Sequence, residues 1–225
     1  MQFITRPDTT DQKVFEEVIT RNVYEHKKIG FFLRDCPLWL DLGGNIGTFC
    51  CKASTQGCKV VSFEPEEDNY RLLCENVALN HSNVTTVQAC VVASDDREVD
   101  LFLCKGDYNK YRHTIFKKRG RHSVRMPAVN FKQTLTRYRP QGIKIDIEGA
   151  EIAILESMTP EEWILSSVTH IVFEYSFDID PSIQRFKRII DSIKKAFAVV
   201  HHRSINWELE KWEYFPAAVI VYAKK

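Results

Sequence analysis

The sequence predicts an α/β fold: a mixed, mostly parallel seven-stranded sheet with a C-terminal antiparallel hairpin and an N-terminal helical extension. Three observations predict it. Apolar runs of strand length alternate with helix-period runs, a glycine-bearing loop joins the first strand to the first helix, and two apolar runs close the chain as a hairpin. The extension is expected over residues 1–36 and the domain over 37–225.

In the extension, Thr10 or Asp11 is placed to cap a helix whose apolar residues Val14, Phe15, Val18 and Ile19 recur at helical spacing. Asp8, Thr10 and Tyr24 are expected to belong to a lid over the cavity. Trp39, Leu40 and Leu42 then mark a buried strand carrying Asp41, and Gly43, Gly44 and Gly47 lead into a helix from Thr48. KVVSFE is a second strand ending at Glu64. Pro65 and the acids after it open a helix with an inward stripe of Tyr70, Leu73 and Val77. NVTTVQACVV reads as a third strand and EVDLFLC as a fourth. Later come the strands IKIDIE and HIVFEYSFDI, a helix from Ser182 to about Phe197, and the closing strands FAVVHHRS and PAAVIVYA, with His201 and His202 at the far end.

With 225 residues and 44% hydrophobic content the chain is long enough for one sizeable core, and a net charge of +1 gives no global pull toward nucleic acid or membrane. No membrane span or signal peptide is expected, and the reading is a cytoplasmic protein. Seven cysteines, without a C-x-x-C pair, fall mostly in apolar patterns and read as buried thiols of a reducing compartment.

A strand, a glycine loop and a helix start aim backbone N–H groups at an anionic group of a ligand. A dinucleotide loop would read G-x-G-x-x-G. Here the pattern is D-x-G-x-N-x-G, through Asp41, Gly43, Asn45 and Gly47, and a carboxylate at its head repels a pyrophosphate. S-adenosylmethionine fits better: a sulfonium and an ammonium for Asp41, a carboxylate for the helix N-terminus at Thr48, and ribose hydroxyls for Glu64. Gly44 and Pro65 belong to the same wall, and Gln88 and Ala89 are expected near the adenine.

In IKIDIEGAE, alternation places Lys144, Asp146 and Glu148 on one face of a core strand, which is costly unless they face a pocket. Asp146 is expected to face the transferable methyl and Glu148 to lie just beyond it. Lys144 is expected deeper, paired with either acid. Glu174 is a second carboxylate for the acceptor. Residues 105–126 are strongly basic. Besides a solvated face, they suit an anionic partner or an acceptor loop in which Tyr108, Tyr111, Arg112 and His113 contact a polyol.

These residues carry a resemblance. RPDTTDQKVFEEVI, LDLGGNIGTF, FEPEEDNYRLLCEN, NVTTVQACVVASDD and above all KIDIEGAE make the chain resemble the FkbM-type S-adenosylmethionine-dependent methyltransferases. The resemblance implies a Rossmann-like class I methyltransferase fold and O-methylation of sugar or polyketide-type hydroxyls. It implies cofactor contacts at Asp41, Gly43, Asn45, Gly47 and Glu64, and chemistry near Asp146 and Glu148. Where members usually carry a Leu-Asp pair before a helix, this chain has Phe131 and Lys132.

The expected activity is thus O-methylation of a sugar hydroxyl in a glycan or glycoconjugate, with Asp146 or His113 as base and Glu148 and Glu174 fixing the acceptor. An RNA 2′-O-methyltransferase, a small-molecule O-methyltransferase and a non-enzymatic binding module are the rivals. A divalent metal held by Asp146 and another carboxylate is a less favoured addition.

Overall fold

The computed structural model describes residues 1–104, 113–115, 122–177, 179–204 and 218–225. Its main sheet has the strands β1 (Leu38–Leu42), β2 (Lys59–Phe63), β3 (Val84–Val87), β7 (Gly142–Ile145), β8 (His170–Ser176), β9 (Val199–Ser204) and β10 (Ala218–Lys224), in the order β3-β2-β1-β7-β8-β10-β9. The first five of these in space run parallel, and β10 is antiparallel to both β8 and β9. The expected mixed sheet with its closing hairpin is therefore present. Strand order reverses between β1 and β7. Parallel sheets of this kind open a crevice at the carboxyl ends of the strands at such a point.

The helices are α1 (Asp11–Phe15), α2 (Thr48–Thr55), α3 (Glu67–Leu79), α4 (Phe131–Tyr138), α5 (Ala150–Ser157), α6 (Pro160–Leu165) and α7 (Ile183–Lys194). One apolar cluster, around Leu40, Ile143, Phe173 and Trp163, packs on one face of the sheet. A second, around Trp39, Phe49, Val172 and Tyr222, takes in Val18, Tyr24, Phe31 and Leu33 of the N-terminal segment. All seven cysteines are unbridged, and five of them are buried. Among the described residues no helix is long and apolar enough to cross a membrane.

Two strand assignments need correction. NVTTVQACVV is two strands, because β3 ends where its partner β2 ends, at the Phe63–Val87 pair. The chain then runs past the edge of the sheet, and Cys90–Val92 (β4) pairs instead with Ser123–Asn130 (β6). EVDLFLC contributes β5 (Glu98–Phe102) to this same three-stranded sheet, ordered β4-β6-β5, and not to the main one. Strand β6 escapes a reading by pattern because Pro127 and Arg125 interrupt it. Arg125 lies between the carboxylates of Glu98, at 3.4 Å, and Asp100, at 3.8 Å, on the neighbouring strand.

The N-terminal helix also differs in detail. Thr10 is its N-cap but makes no side-chain cap bond, and Asp11 is taken up by a bidentate pair with Arg6 at 2.9 and 2.8 Å. After five α-helical residues the helix widens into a π-helical turn over Glu16–Thr20, in which the Arg21 N–H donates to the Glu16 carbonyl. The Val18 carbonyl inside that turn accepts from the Lys52 ammonium at 2.6 Å, which ties the segment to α2.

Gly142 pairs with Trp39, and a Cβ at this glycine would lie 2.3 Å from the indole Cδ2. Gly142→Ala is expected to lower unfolding stability by about 1–3 kcal/mol through overpacking. Urea denaturation measures it, and an unchanged midpoint would show that the indole moves aside freely.

Candidate functional site

A cavity opens at the carboxyl ends of β1, β2, β7 and β8, walled on one side by Lys13, Glu17 and Tyr24 of the N-terminal segment. Its floor is organised by Lys144. This ammonium is buried, 3.2 Å from Asp41 Oδ1 and 3.8 Å from Asp146 Oδ2, and donates to the Gly43 carbonyl at 2.6 Å. Burial alone would lower its pKa, but Asp41 and then Asp146 outweigh that, so the net direction is upward and Lys144 is a fixed cation. It is no proton acceptor. Asp41 is fully buried, with Ser62 donating to its Oδ2 at 2.7 Å, and it is absent from the cavity wall. The sequence reading placed Asp41 against the ligand; its charge is instead spent on Lys144 behind the loop.

The loop is shaped by close approach. Gly43 has φ +86°, and a Cβ there would sit 1.9 Å from the Asp146 carbonyl oxygen, so the ends of β1 and β7 touch through backbone. Asn45 takes φ +48° and uses its own Oδ1 to accept the Ile46 N–H at 2.7 Å, while its N–H donates to Glu64 at 2.8 Å. Glu64 also accepts the Glu66 N–H at 3.0 Å. Burial pushes this carboxyl up to about 7, with the two N–H groups, Glu66's and then Asn45's, pulling the other way.

Gly43, Gly44, Asn45 and Thr48 all line the cavity, as do Glu64, Pro65 and Ala89. Gly47 lies just behind, as the left-handed N-cap of α2. Gln88 turns away from the cavity, its amide donating to Glu67 at 3.3 Å, and Cys90 takes the wall position beside Ala89.

At the other end of the cavity stand Asp146, Glu148, Glu174 and His113. Strand β7 stops at Ile145, so Asp146 is the first residue beyond it, and Glu148 holds φ +52° in the turn before α5. Tyr24 donates to Asp146 Oδ2 at 2.8 Å. Its phenol is raised well above 10, first by burial and then by the charge of Asp146. His113 Nδ1 accepts the Cys104 N–H at 3.1 Å. Glu174 is raised well above the usual carboxylate range, first by burial and then by Asp146, Glu148, Glu151 and Glu17. Tyr108, Tyr111 and Arg112 lie outside the described residues.

Sequence reasoning missed Glu17, Asn69, Thr114 and Ser176 as cavity residues. Glu17 was within reach of it, since it lies three residues after Val14 on the inward face of the helix; Asn69, buried against Arg6 at 2.7 Å, carried no such signal. Asp8 is exposed and Thr10 is buried away from the cavity, so of the three lid residues only Tyr24 reaches the site.

The Methyltransferase FkbM domain matches residues 41–200, which span every wall of this cavity except the N-terminal one and the last strand. The chain belongs to the FkbM methyltransferase family. Among curated relatives of this FkbM domain, Methyltransferase sdnD of Sordaria araneosa is 27% identical over 198 residues, covering 72% of this chain and 74% of that protein. Hexuronic acid methyltransferase AglP of Haloferax volcanii is 28% identical over 156 residues, covering 65% of this chain and 59% of its own length. Among solved structures, the precorrin 8w decarboxylase of Methanobacterium thermoautotrophicum shares the fold at a TM-score of 0.50 and 11% identity, covering 99% of this chain and 97% of that one.

Lys144→Met would leave Asp41 buried without its cation. The expected loss is about 3–5 kcal/mol in urea unfolding, and a second substitution, Asp41→Asn, should recover part of it. A loss near zero would show that Lys144 does not hold the floor together.

Proposed function

We propose that this FkbM domain is an S-adenosylmethionine-dependent O-methyltransferase acting on a hydroxyl of a sugar in a glycan or glycoconjugate. The observation that carries the reading is a single cavity with two unlike ends. One end has a glycine loop, the start of α2 and the buried Glu64; the other has Asp146, Glu148 and Glu174 at the carboxyl edge of two neighbouring strands. The name of the relative AglP supports a sugar acceptor, and closely set carboxyl groups suit the several hydroxyls of one.

The residues fit the donor. Glu64 is placed to accept from two ribose hydroxyls, Pro65, Ala89 and Cys90 offer a flat apolar wall, and the loop and Thr48 face an amino-acid carboxylate. When bound, S-adenosylmethionine supplies an electrophilic methyl on a positively charged sulfur. The chain's own task is alignment: Asp146, fixed by Tyr24 and Lys144, and the backbone after β7 set the position of the acceptor oxygen. The N-terminal segment 1–36 is proposed as the lid on 37–225. Asp146 faces the Lys144 ammonium at 3.8 Å, and among the described residues no group of three or more His, Cys, Asp or Glu is set to hold a metal ion.

Glu64 supplies the test. Its folded carboxyl keeps its proton to higher pH than an unfolded glutamate does at its ordinary 4.5, so its stabilising contribution is present below that value and lost as pH rises to about 7. Accepting both ribose hydroxyls, one on each oxygen, requires the ionised form. S-adenosylhomocysteine affinity, read by calorimetry, is expected to rise about tenfold per pH unit up to the carboxyl's pKa and then level off. Glu64→Gln should bind more weakly with a flat profile. Transfer of labelled methyl to sugars, nucleotide-sugars, RNA and small alcohols then tests the acceptor. Absence of any binding would refute the cofactor reading, and labelling of RNA alone would refute the sugar.

A further inference from the structure

Asp146 and Glu174 form a side-by-side acid pair. Strands β7 and β8 pair up to Ile145 and Phe173, and Asp146 and Glu174 are the next residues along each, two positions on from the Lys144–Val172 pair. Both line the cavity. Their surroundings differ sharply in charge. Asp146 Oδ2 accepts from the Tyr24 hydroxyl and lies 3.8 Å from Lys144. Glu174 has a 3.4 Å hydrogen bond from Ser176 Oγ, and the charged groups acting on it are acids: Asp146 and Glu148 after β7, Glu151 on α5 and Glu17 on the N-terminal segment. Lys13, Tyr24, Glu64, Cys90, His113 and Lys144 complete the ionisable groups of the wall among the described residues, and β10 contributes only Ala218 and Ile220.

The bases expected from sequence are both engaged. His113 Nδ1 accepts a backbone N–H, so in the neutral ring the hydrogen sits on Nε2, which then has no lone pair for a second proton. Asp146 Oδ2 is already engaged by the Tyr24 hydroxyl and lies 3.8 Å from the Lys144 ammonium.

The next step rests on the cavity being the methyl-transfer site. We propose that Glu174 takes the proton of the acceptor hydroxyl, and that it is ionised only while the positively charged sulfur of the donor lies beside the Asp146–Glu174 pair.

Without the donor, burial and the neighbouring acids favour the protonated form of the Glu174 carboxyl. A cation about 4–6 Å away favours the carboxylate, and the proton leaves to solvent as the donor binds. In the transfer the acceptor O–CH3 bond forms as the CH3–S bond breaks, with that electron pair going to sulfur, and the acceptor's O–H proton passes to Glu174. The sulfur is now neutral. Glu174 keeps this proton until fresh donor displaces the product, so the base is switched on by the very group that makes a base useful.

Calorimetry at pH 8, where Glu64 is largely ionised, tests this in buffers of different ionisation enthalpy. With S-adenosylmethionine, wild type should release about one proton more than Glu174→Gln; with S-adenosylhomocysteine the two proteins should differ little. Equal release by both proteins with S-adenosylmethionine would overturn the proposal. If the substituted protein fails to fold, carbon-13 NMR of wild-type glutamate carboxyls replaces it. A resonance that survives Glu64→Gln should read as protonated in the free and S-adenosylhomocysteine-bound protein and as ionised with S-adenosylmethionine. The same charge state in all three would be equally decisive against it. Binding of neither ligand would remove the cofactor reading itself, and the proposal with it.

Discussion

The buried ammonium of Lys144 is the constraint around which the rest of the cavity is built. Two strands that meet at the reversal of the sheet each bring a carboxylate, Asp41 on β1 and Asp146 just beyond β7, and one cation holds both. A cation in that place also fixes the Gly43 carbonyl. The loop end of the cavity and the acid end therefore share one electrostatic element. Removing Lys144 leaves the fully buried Asp41 without its cation, whereas Asp146 is the partner that also faces the cavity.

Much of the fold was legible because its signals are local. Asp41-x-Gly-x-Asn-x-Gly announces a strand-loop-helix junction, and alternation through Lys144, Asp146 and Glu148 announces a strand end facing a cavity; both are where the pattern puts them. What the pattern hides is direction. Nothing local distinguishes an Asp41 that meets a ligand from one that meets Lys144, because the partner lies about a hundred residues away in the chain. Strand β6 and the departure of β4 from the main sheet were hidden for a related reason. Both depend on which strand is the partner, and Pro127 and Arg125 erase the two-residue period that would have flagged it.

The N-terminal segment shows how a short, weakly helical stretch is made specific. Its apolar residues reach the sheet face through Val18 and Tyr24, but its position is set by polar ties: Arg6 to Asp11 and Asn69, Lys52 to the Val18 carbonyl, Asn76 to Ile4, and Tyr24 to Asp146. The last tie links the segment directly to the acid pair, and Tyr222 of β10 donates to the Val23 carbonyl beside it. The π-helical turn belongs to this arrangement, since the Lys52 ammonium bonds a carbonyl inside it.

The place of β10 has a consequence for biosynthesis. This strand comes after β9 in the chain yet lies between β8 and β9, with Ile220 opposite Glu174. As the polypeptide leaves the ribosome, β1, β2 and β3 can pair early, whereas β8 lacks its antiparallel neighbour beside Glu174 until the closing strand arrives. The edge of the sheet beside Glu174 is therefore closed only once translation has passed residue 220.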